Sequence, residues 1–286
     1  MTSSELTAIA TPTIRREDPA EGVARIVLSR PEKHNAQNPT MLYELDAALT
    51  EAGHDPAVKV IILAADGANF SSGHEIGGGA VLPCAPTATI ASGLDEPGAA
   101  GHYAFECEAY LGLCKRWRDI PKPTVALAQG RAIGGGLMLL WPMDIIIASD
   151  DATFSDPVTI FGVNGGEYFT HAWELGARRA KELLFTGGAI DAHEAHAAGM
   201  VNKVVPRSEL DAAGLALAQR IAARPAFGLR LAKEAVNRSL DAQGQSVALD
   251  SALALHNLGH AHNLKQFDRI IDPRGQEVIR REARGR

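Results

Sequence analysis

Apolar positions along the chain fall into two rhythms, short runs and helical repeats. Val23 to Leu28 is an apolar run stopped by Arg30–Pro31, and it predicts a strand. After the polar loop Glu32 to Gln37, Asn38–Pro39 predicts a helix start, because asparagine caps and proline fits the first helical position. Leu42, Leu45, Leu49 and Ala52 then recur at helical spacing and define a buried face. Val58 to Ala64 is continuous and β-branched, which predicts a buried strand. A helix over Tyr103–Asp119, a strand over Thr124–Ala128, a glycine-rich turn over Gly130–Gly136, a short helix and a strand over Ile145–Ala148 follow. Glu174–Thr186 and Ala192–Ala198 predict helices, and Val201–Val205 a strand. Beyond Pro206 the pattern is helical almost throughout. Ser208 with Asp211 resembles a capped start, Leu210, Leu217 and Ile221 share a face, and further helices cover roughly 226–239, 245–262 and 275–284.

This order predicts an α/β body over 21–206, preceded by a flexible polar tail over 1–20 and followed by an α-helical region over 207–286. Residues 77–101 are rich in Gly, Ala and Pro and predict a mobile surface excursion. The chain has 286 residues, with 28 Lys and Arg against 34 Asp and Glu, a net charge of −6. It carries no basic surplus to neutralise a phosphate backbone, so nucleic acid is not expected as a partner. Hydrophobic residues at 46% exclude a chain disordered throughout. Three cysteines, Cys84, Cys107 and Cys114, cannot make a full disulfide set, and a reducing, cytoplasmic setting is expected. Met1 to Asp18 shows no apolar leader core, and no apolar run reaches the roughly 20 residues of a membrane helix. The longest, Leu137 to Ala148, contains Pro142 and Asp144.

Dinucleotide, phosphate-loop and nucleophile-elbow signatures are missing. His193-Glu194-Ala195-His196 is one residue too short for a zinc helix motif. His256 and His260 share a helix face with no carboxylate or cysteine at ligand spacing, so a polar helix surface or a subunit contact is expected, and no metal. Cys107 and Cys114 read as small buried side chains. Two glycine-rich turns each follow a buried strand: Ser71-Ser72-Gly73-His74-Glu75-Ile76 and Gly130-Arg131-Ala132-Ile133-Gly134-Gly135-Gly136. Each fits a tight connection, and together they fit two backbone N–H groups aimed at one point, an oxyanion hole.

With their flanks these turns resemble the enoyl-CoA hydratase/isomerase (crotonase) superfamily over roughly 22–240. Leu28 to Ala36 looks like its first-strand loop, Phe70 to Ile76 its first oxyanion segment, and Pro121 to Gly136 its second. Asp144 to Ser149 with Ala152-Thr153-Phe154, then Phe185 to Gly188, Ile190 to Ala192 and Ala198 to Asn202, resemble later segments. The resemblance implies a ββα spiral core, C-terminal helices used for a homo-trimer or a dimer of trimers, and an acyl-CoA substrate that brings coenzyme A with it, without a further cofactor. It implies a thioester oxygen held by the N–H groups of His74 and Gly135. It implies coenzyme A contacts from Lys33, His34 and Ala36 and from Ser72, Glu75 and Ile76, with Gly134 beside the acyl group.

The hydratases of the family carry two glutamates at positions filled here by Met138 and Val158, neither of which can hold or activate water. Glu167 is the first candidate to replace them, Asp156 the second, though Asp156 also fits a loop turn. The His74 side chain fits a shape role in its turn, and Glu75 and Asp144 fit structural roles. Three readings remain open: an acyl-CoA enzyme working through an enolate (isomerase, hydrolase, C–C cleavage or slow hydration), a non-catalytic acyl-CoA binder or scaffold, and a metal-dependent enzyme using the late histidines.

Overall fold

A computed structural model describes residues 12–75 and 92–284. Its strands are β1 (Ile14–Ala20), β2 (Val23–Leu28), β3 (Val60–Ala65), β4 (Thr124–Ala128), β5 (Arg131–Ile133), β6 (Ile145–Ser149), β7 (Thr153–Ser155), β8 (Ala189–Asp191) and β9 (Lys203–Val205). Its helices are α1 (Pro39–His54), α2 (Ala99–Phe105), α3 (Leu113–Arg118), α4 (Gly135–Leu140), α5 (His171–Thr186), α6 (Ala192–Ala198), α7 (Leu210–Ala222), α8 (Ala226–Ala242), α9 (Gln245–Phe267) and α10 (Arg274–Arg284). The larger sheet has six strands in the order β1-β2-β3-β4-β6-β9, and the smaller has three, β5-β7-β8. All neighbours in the larger sheet are parallel except β1 with β2.

The period-two rule of strands divides the sheet's side chains between two cores. Ala24, Ile26 and Leu28 of β2, Ile61 and Leu63 of β3, and Ala126 and Ala128 of β4 face the larger core with Leu42, Leu45 and Leu49 of α1 and Trp117 of α3. Val23 and Val27, Val60 and Ile62, Val125 and Leu127 face the other side, under Leu210, Ala218 and Ala222 of α7. Each Val, Leu or Ile among them taken from water contributes about 1.5–3 kcal/mol. Asn38 caps α1 as expected, its side chain accepting from the Met41 N–H at 3.0 Å.

Three expectations are corrected. The tail expected over 1–20 is the strand β1 from Ile14, whose Arg-Arg-Glu-Asp run is the polar rim of an edge strand. The region expected over 207–286 is helical as expected, from α7 to α10, and α7 lies on the sheet so closely that a Cβ on Gly214 would stand 2.5 Å from Leu127 Cδ2. Ser208 does not cap α7; a 3-10 turn over Arg207–Glu209 leads in without a side-chain cap, and Asp211 accepts from Arg25 at 2.7 Å instead. The single helix expected over 103–119 is interrupted by a π-helical stretch, Glu106–Gly112. Within the excursion expected over 77–101, residues 77–91 lie outside the described residues and Ala99 already begins α2. No helix among the described residues is long and apolar enough to cross a membrane.

Asp46 on α1 ties this helix to α3, accepting from Trp117 Nε1 at 2.9 Å and from the Arg116 guanidinium at 2.9 Å. Replacing Asp46 with Ala strands the buried indole N–H, and we expect a loss of about 1–3 kcal/mol. Urea unfolding checks it as a lower midpoint at unchanged slope.

Candidate active site

Backbone pairing draws three distant segments together. The Ser71 N–H donates to the Arg131 carbonyl at 3.1 Å and the Ile133 N–H to the Ser71 carbonyl at 3.0 Å, a parallel bridge between the two glycine-rich turns. The Gln37 N–H donates to the Gly73 carbonyl and the Glu75 N–H to the Gln37 carbonyl, both at 2.8 Å. In such a parallel bridge the intervening residue, His74, turns its own N–H to the opposite edge. Gly135 is the first residue of α4, where an N–H finds no carbonyl one turn earlier. Among the described residues no backbone hydrogen bond uses the N–H of His74 or of Gly135. Two donors left open on adjoining turns can bind a developing oxyanion.

The close approach depends on glycine. A Cβ on Gly73, at φ 87°, would lie 2.6 Å from the Ile133 carbonyl oxygen, and one on Gly136 would lie 2.6 Å from that of Ser71. A Cβ on Gly135 would strike the His74 imidazole at 2.9 Å. Gly134, at φ 51°, donates its N–H to Ser155 at 2.8 Å and lies beside Val158, whose Cγ1 is 3.4 Å from where a Cβ would stand.

The first-strand loop meets the first turn. Lys33 and His34 are exposed; the Ser72 N–H donates to the His34 carbonyl at 2.9 Å. His34 and Asn35 both have left-handed backbones, at φ 51° and 52°. The buried Asn35 amide holds them there by donating to the carbonyls of Asp66 and Asn69. Arg30 donates to the carbonyl of buried Ala36 and pairs with Glu75 at 3.1 Å, so Glu75 braces the loop. Thus Lys33, His34, Ala36, Ser72 and Glu75 share one locality, whereas Ile76 lies outside the described residues. Met138 is packed in the larger core. Sequence reasoning missed Gln37, which is buried and whose amide donates to the Gly135 carbonyl at 2.6 Å. Only its place beside the loop hinted at it.

Glu167 is buried, and its Oε2 lies 3.1 Å from His74 Nε2. The His74 ring stacks on Tyr110 at 4.3 Å. Burial lowers the His74 pKa, but the charge and hydrogen bond of Glu167 outweigh it and raise the imidazole above its ordinary 6.5. Burial would raise Glu167, and His74 in turn holds it below the usual glutamate range. Each partner thus favours the charged form of the other, an imidazolium–carboxylate pair one imidazole away from Gly135. Asp156 is a buried strut rather than a loop turn: it accepts from the Gly166 N–H and pairs with His171 Nε2, both at 2.7 Å. Asp144 accepts from Thr124 and pairs with Lys233 at 2.9 Å, a structural role as expected.

The late histidines are not a polar surface. His256 and His260 are buried, and His256 Nε2 lies 3.7 Å from Glu167 Oε1. The inner face of α9 is mixed: Leu249, Ala252 and Leu253 are buried, but so are Gln245 and Asn263, so hydropathy could not mark the histidines' part of it as inner.

Residues 18–267 match the family model described as enoyl-CoA hydratase/isomerase. A Mycobacterium tuberculosis protein named as an enoyl-CoA hydratase, EchA13, is 43% identical over 257 residues, 87% of this chain and 81% of that one. A 4-chlorobenzoyl coenzyme A dehalogenase of Arthrobacter is 30% identical over 250 residues, 85% of this chain and 84% of that one. The crystal structure of a probable enoyl-CoA hydratase from Mycobacterium smegmatis superposes with a TM-score of 0.83 at 46% identity, covering 91% of this chain and 99% of that one.

The ion pair makes a spectroscopic prediction. The His74 imidazole should titrate above 6.5 by NMR, and in Glu167→Gln below it, since burial then prevails. The pair's contribution to stability is complete between the ordinary values of glutamate, 4.5, and histidine, 6.5; it fades as pH rises through the raised His74 value and as pH falls through the lowered Glu167 value. A wild-type midpoint below 6.5 contradicts the ion pair.

Proposed function

The chain belongs to the enoyl-CoA hydratase/isomerase family, and on that premise we propose that it processes an acyl-CoA thioester through an enolate held by the N–H groups of His74 and Gly135. Each such donor is worth about 2.7–4 kcal/mol in the transition state. The observation that carries the reading is the buried Glu167 carboxylate, paired with His74 at 3.1 Å beside the second turn. A carboxylate there takes a proton from the acyl chain and returns it elsewhere while the oxyanion donors stabilise the enolate. Double-bond isomerisation needs only that one shuttle. Efficient hydration needs groups to hold water and to deliver its proton, and Met138 and Val158 offer neither. Hydrolysis and C–C cleavage use the same oxyanion hole and belong to the same proposal.

Coenzyme A would lie along Lys33, His34, Ala36, Ser72, Glu75 and Ile76 and arrive as part of the substrate, with no separate cofactor. Gly134, Met138 and Val158 would border the acyl group. Assembly as a trimer or a dimer of trimers is supported by exposed apolar side chains on the late helices, among them Phe227, Leu231, Val247, Leu255 and Leu258. Free thiols at Cys107 and Cys114 suit a cytoplasmic setting.

A panel of short, long and cyclic enoyl-CoA thioesters, followed by mass spectrometry and NMR, tests the reading. We expect double-bond migration or another enolate product. Turnover should fall about 10²–10³-fold in Gly135→Val and about 10²–10⁴-fold in Glu167→Gln. Turnover untouched by both substitutions contradicts the proposal. Tight coenzyme A binding with no product supports the alternative, a non-catalytic acyl-CoA binder, which the two apolar replacements at Met138 and Val158 favour.

A further inference from the structure

We propose that His102, Glu106 and His260 form a binding site for a divalent metal ion of the zinc class. The three lie on three segments, α2, the start of the π-helical stretch and α9, and their ligand atoms fall within 4.8 Å of one another. Glu106 Oε1 stands 3.0 Å from His102 Nε2 and 3.2 Å from His260 Nε2. Ligands bonded at 2.0–2.1 Å around a tetrahedral ion lie about 3.3 Å apart, so these separations suit a shared ion. Two imidazoles and one carboxylate are an established zinc donor set that leaves a fourth position open.

The tautomers strengthen the argument. His260 Nδ1 lies 2.5 Å from the Ile270 carbonyl oxygen, which only accepts, so Nδ1 carries the proton. Nε2, on the other side of the ring, is then directed at Glu106 Oε1, 3.2 Å away. Nitrogen and carboxylate oxygen at that distance need a cation between them, a proton or a metal ion, and the zinc-like spacing of the three groups favours the metal. A nitrogen bonded to a carbonyl on one side with its other side free for metal is the usual arrangement of a ligating histidine. His102 Nε2 is buried and, among the described residues, faces only Glu106 Oε1, at 3.0 Å. The other oxygen of Glu106 accepts from Asn257 Nδ2 at 2.7 Å, which fixes the carboxylate's orientation. The His102 side chain retains 21% exposure, giving the ion an entry and a place for water. His256 Nε2, 3.8 Å from Glu106 Oε1, stands behind the site.

A bound ion would clamp α9 to the π-helical stretch that carries Tyr110, the residue stacked on His74. Its role is thus to fix one wall of the candidate active site, and it takes no part in the chemistry proposed above. Its test is independent of turnover.

Tag-free full-length protein is stripped with EDTA, titrated with zinc chloride, passed through gel filtration and assayed for metal by mass spectrometry. Wild-type protein should retain about one zinc per chain, and at a hundredfold excess over Kd its Tm should rise by about 5–10 °C. His260→Asn and the part-exposed His102→Gln should each weaken uptake at least about tenfold and lose the Tm shift. Should His260→Asn fail to fold, His102→Gln carries the comparison. A wild-type protein that stays metal-free with an unmoved Tm overturns the proposal and leaves protons, as imidazolium–carboxylate pairs, in the ion's place. Zinc retained equally by both variants also overturns it.

Discussion

Two turns of backbone touch each other with nothing between them. Gly73 stands against the carbonyl of Ile133 and Gly136 against the carbonyl of Ser71, each at a distance a Cβ would close to 2.6 Å. This reciprocal contact constrains both segments: neither turn can carry a side chain on its inner face, and the strands β3 and β4 that lead into them must be adjacent and parallel. The two open N–H groups are a by-product of that closeness. The wide sheet, its two cores and the helix α7 beneath it supply the rigidity that such a contact needs, because a turn of glycines has little stiffness of its own.

The second theme is burial of charge. Glu167, Glu106 and Asp156 are all withdrawn from water, and each faces an imidazole: His74, His102 with His260, and His171. Burial disfavours each carboxylate, yet all three are held ionised by their partners. Such pairs are weak contributors to stability beside apolar residues of the same volume, since desolvation consumes most of the attraction. Their contribution therefore has to be sought in what they hold in place: Glu167 beside the second turn, Glu106 between two helices, and Asp156 between Gly166 and His171.

Much of the body could be read in the chain. The runs Val23–Leu28 and Thr124–Ala128 are strands at their expected ends, and α6 spans Ala192–Ala198 as its pattern says. Polarity defeated the reading elsewhere. β1 is charged because it rims the sheet, and α9 buries histidines because carboxylates await them, so hydropathy assigned both to solvent. Within the site, the two turns were legible because each places its glycine, Gly73 or Gly134 to Gly136, soon after a buried apolar strand. Gln37 and Glu106 were not, since their importance comes from partners 98 and 154 residues away, Gly135 and His260. No local pattern encodes that distance.

The π-helical stretch between Phe105 and Leu113 has a consequence for how this chain can vary in length. A wide turn holds one residue more than an α-turn, and each residue turns the chain beyond it by about 100° around the axis. Glu106 and Tyr110 precede the end of that stretch and face the imidazoles, whereas Leu113, Cys114 and Trp117 come after it and sit in the larger core. A deletion of one residue here would restore a regular helix and swing one half against the other. Core and site are thus geared to the number of residues in this one stretch.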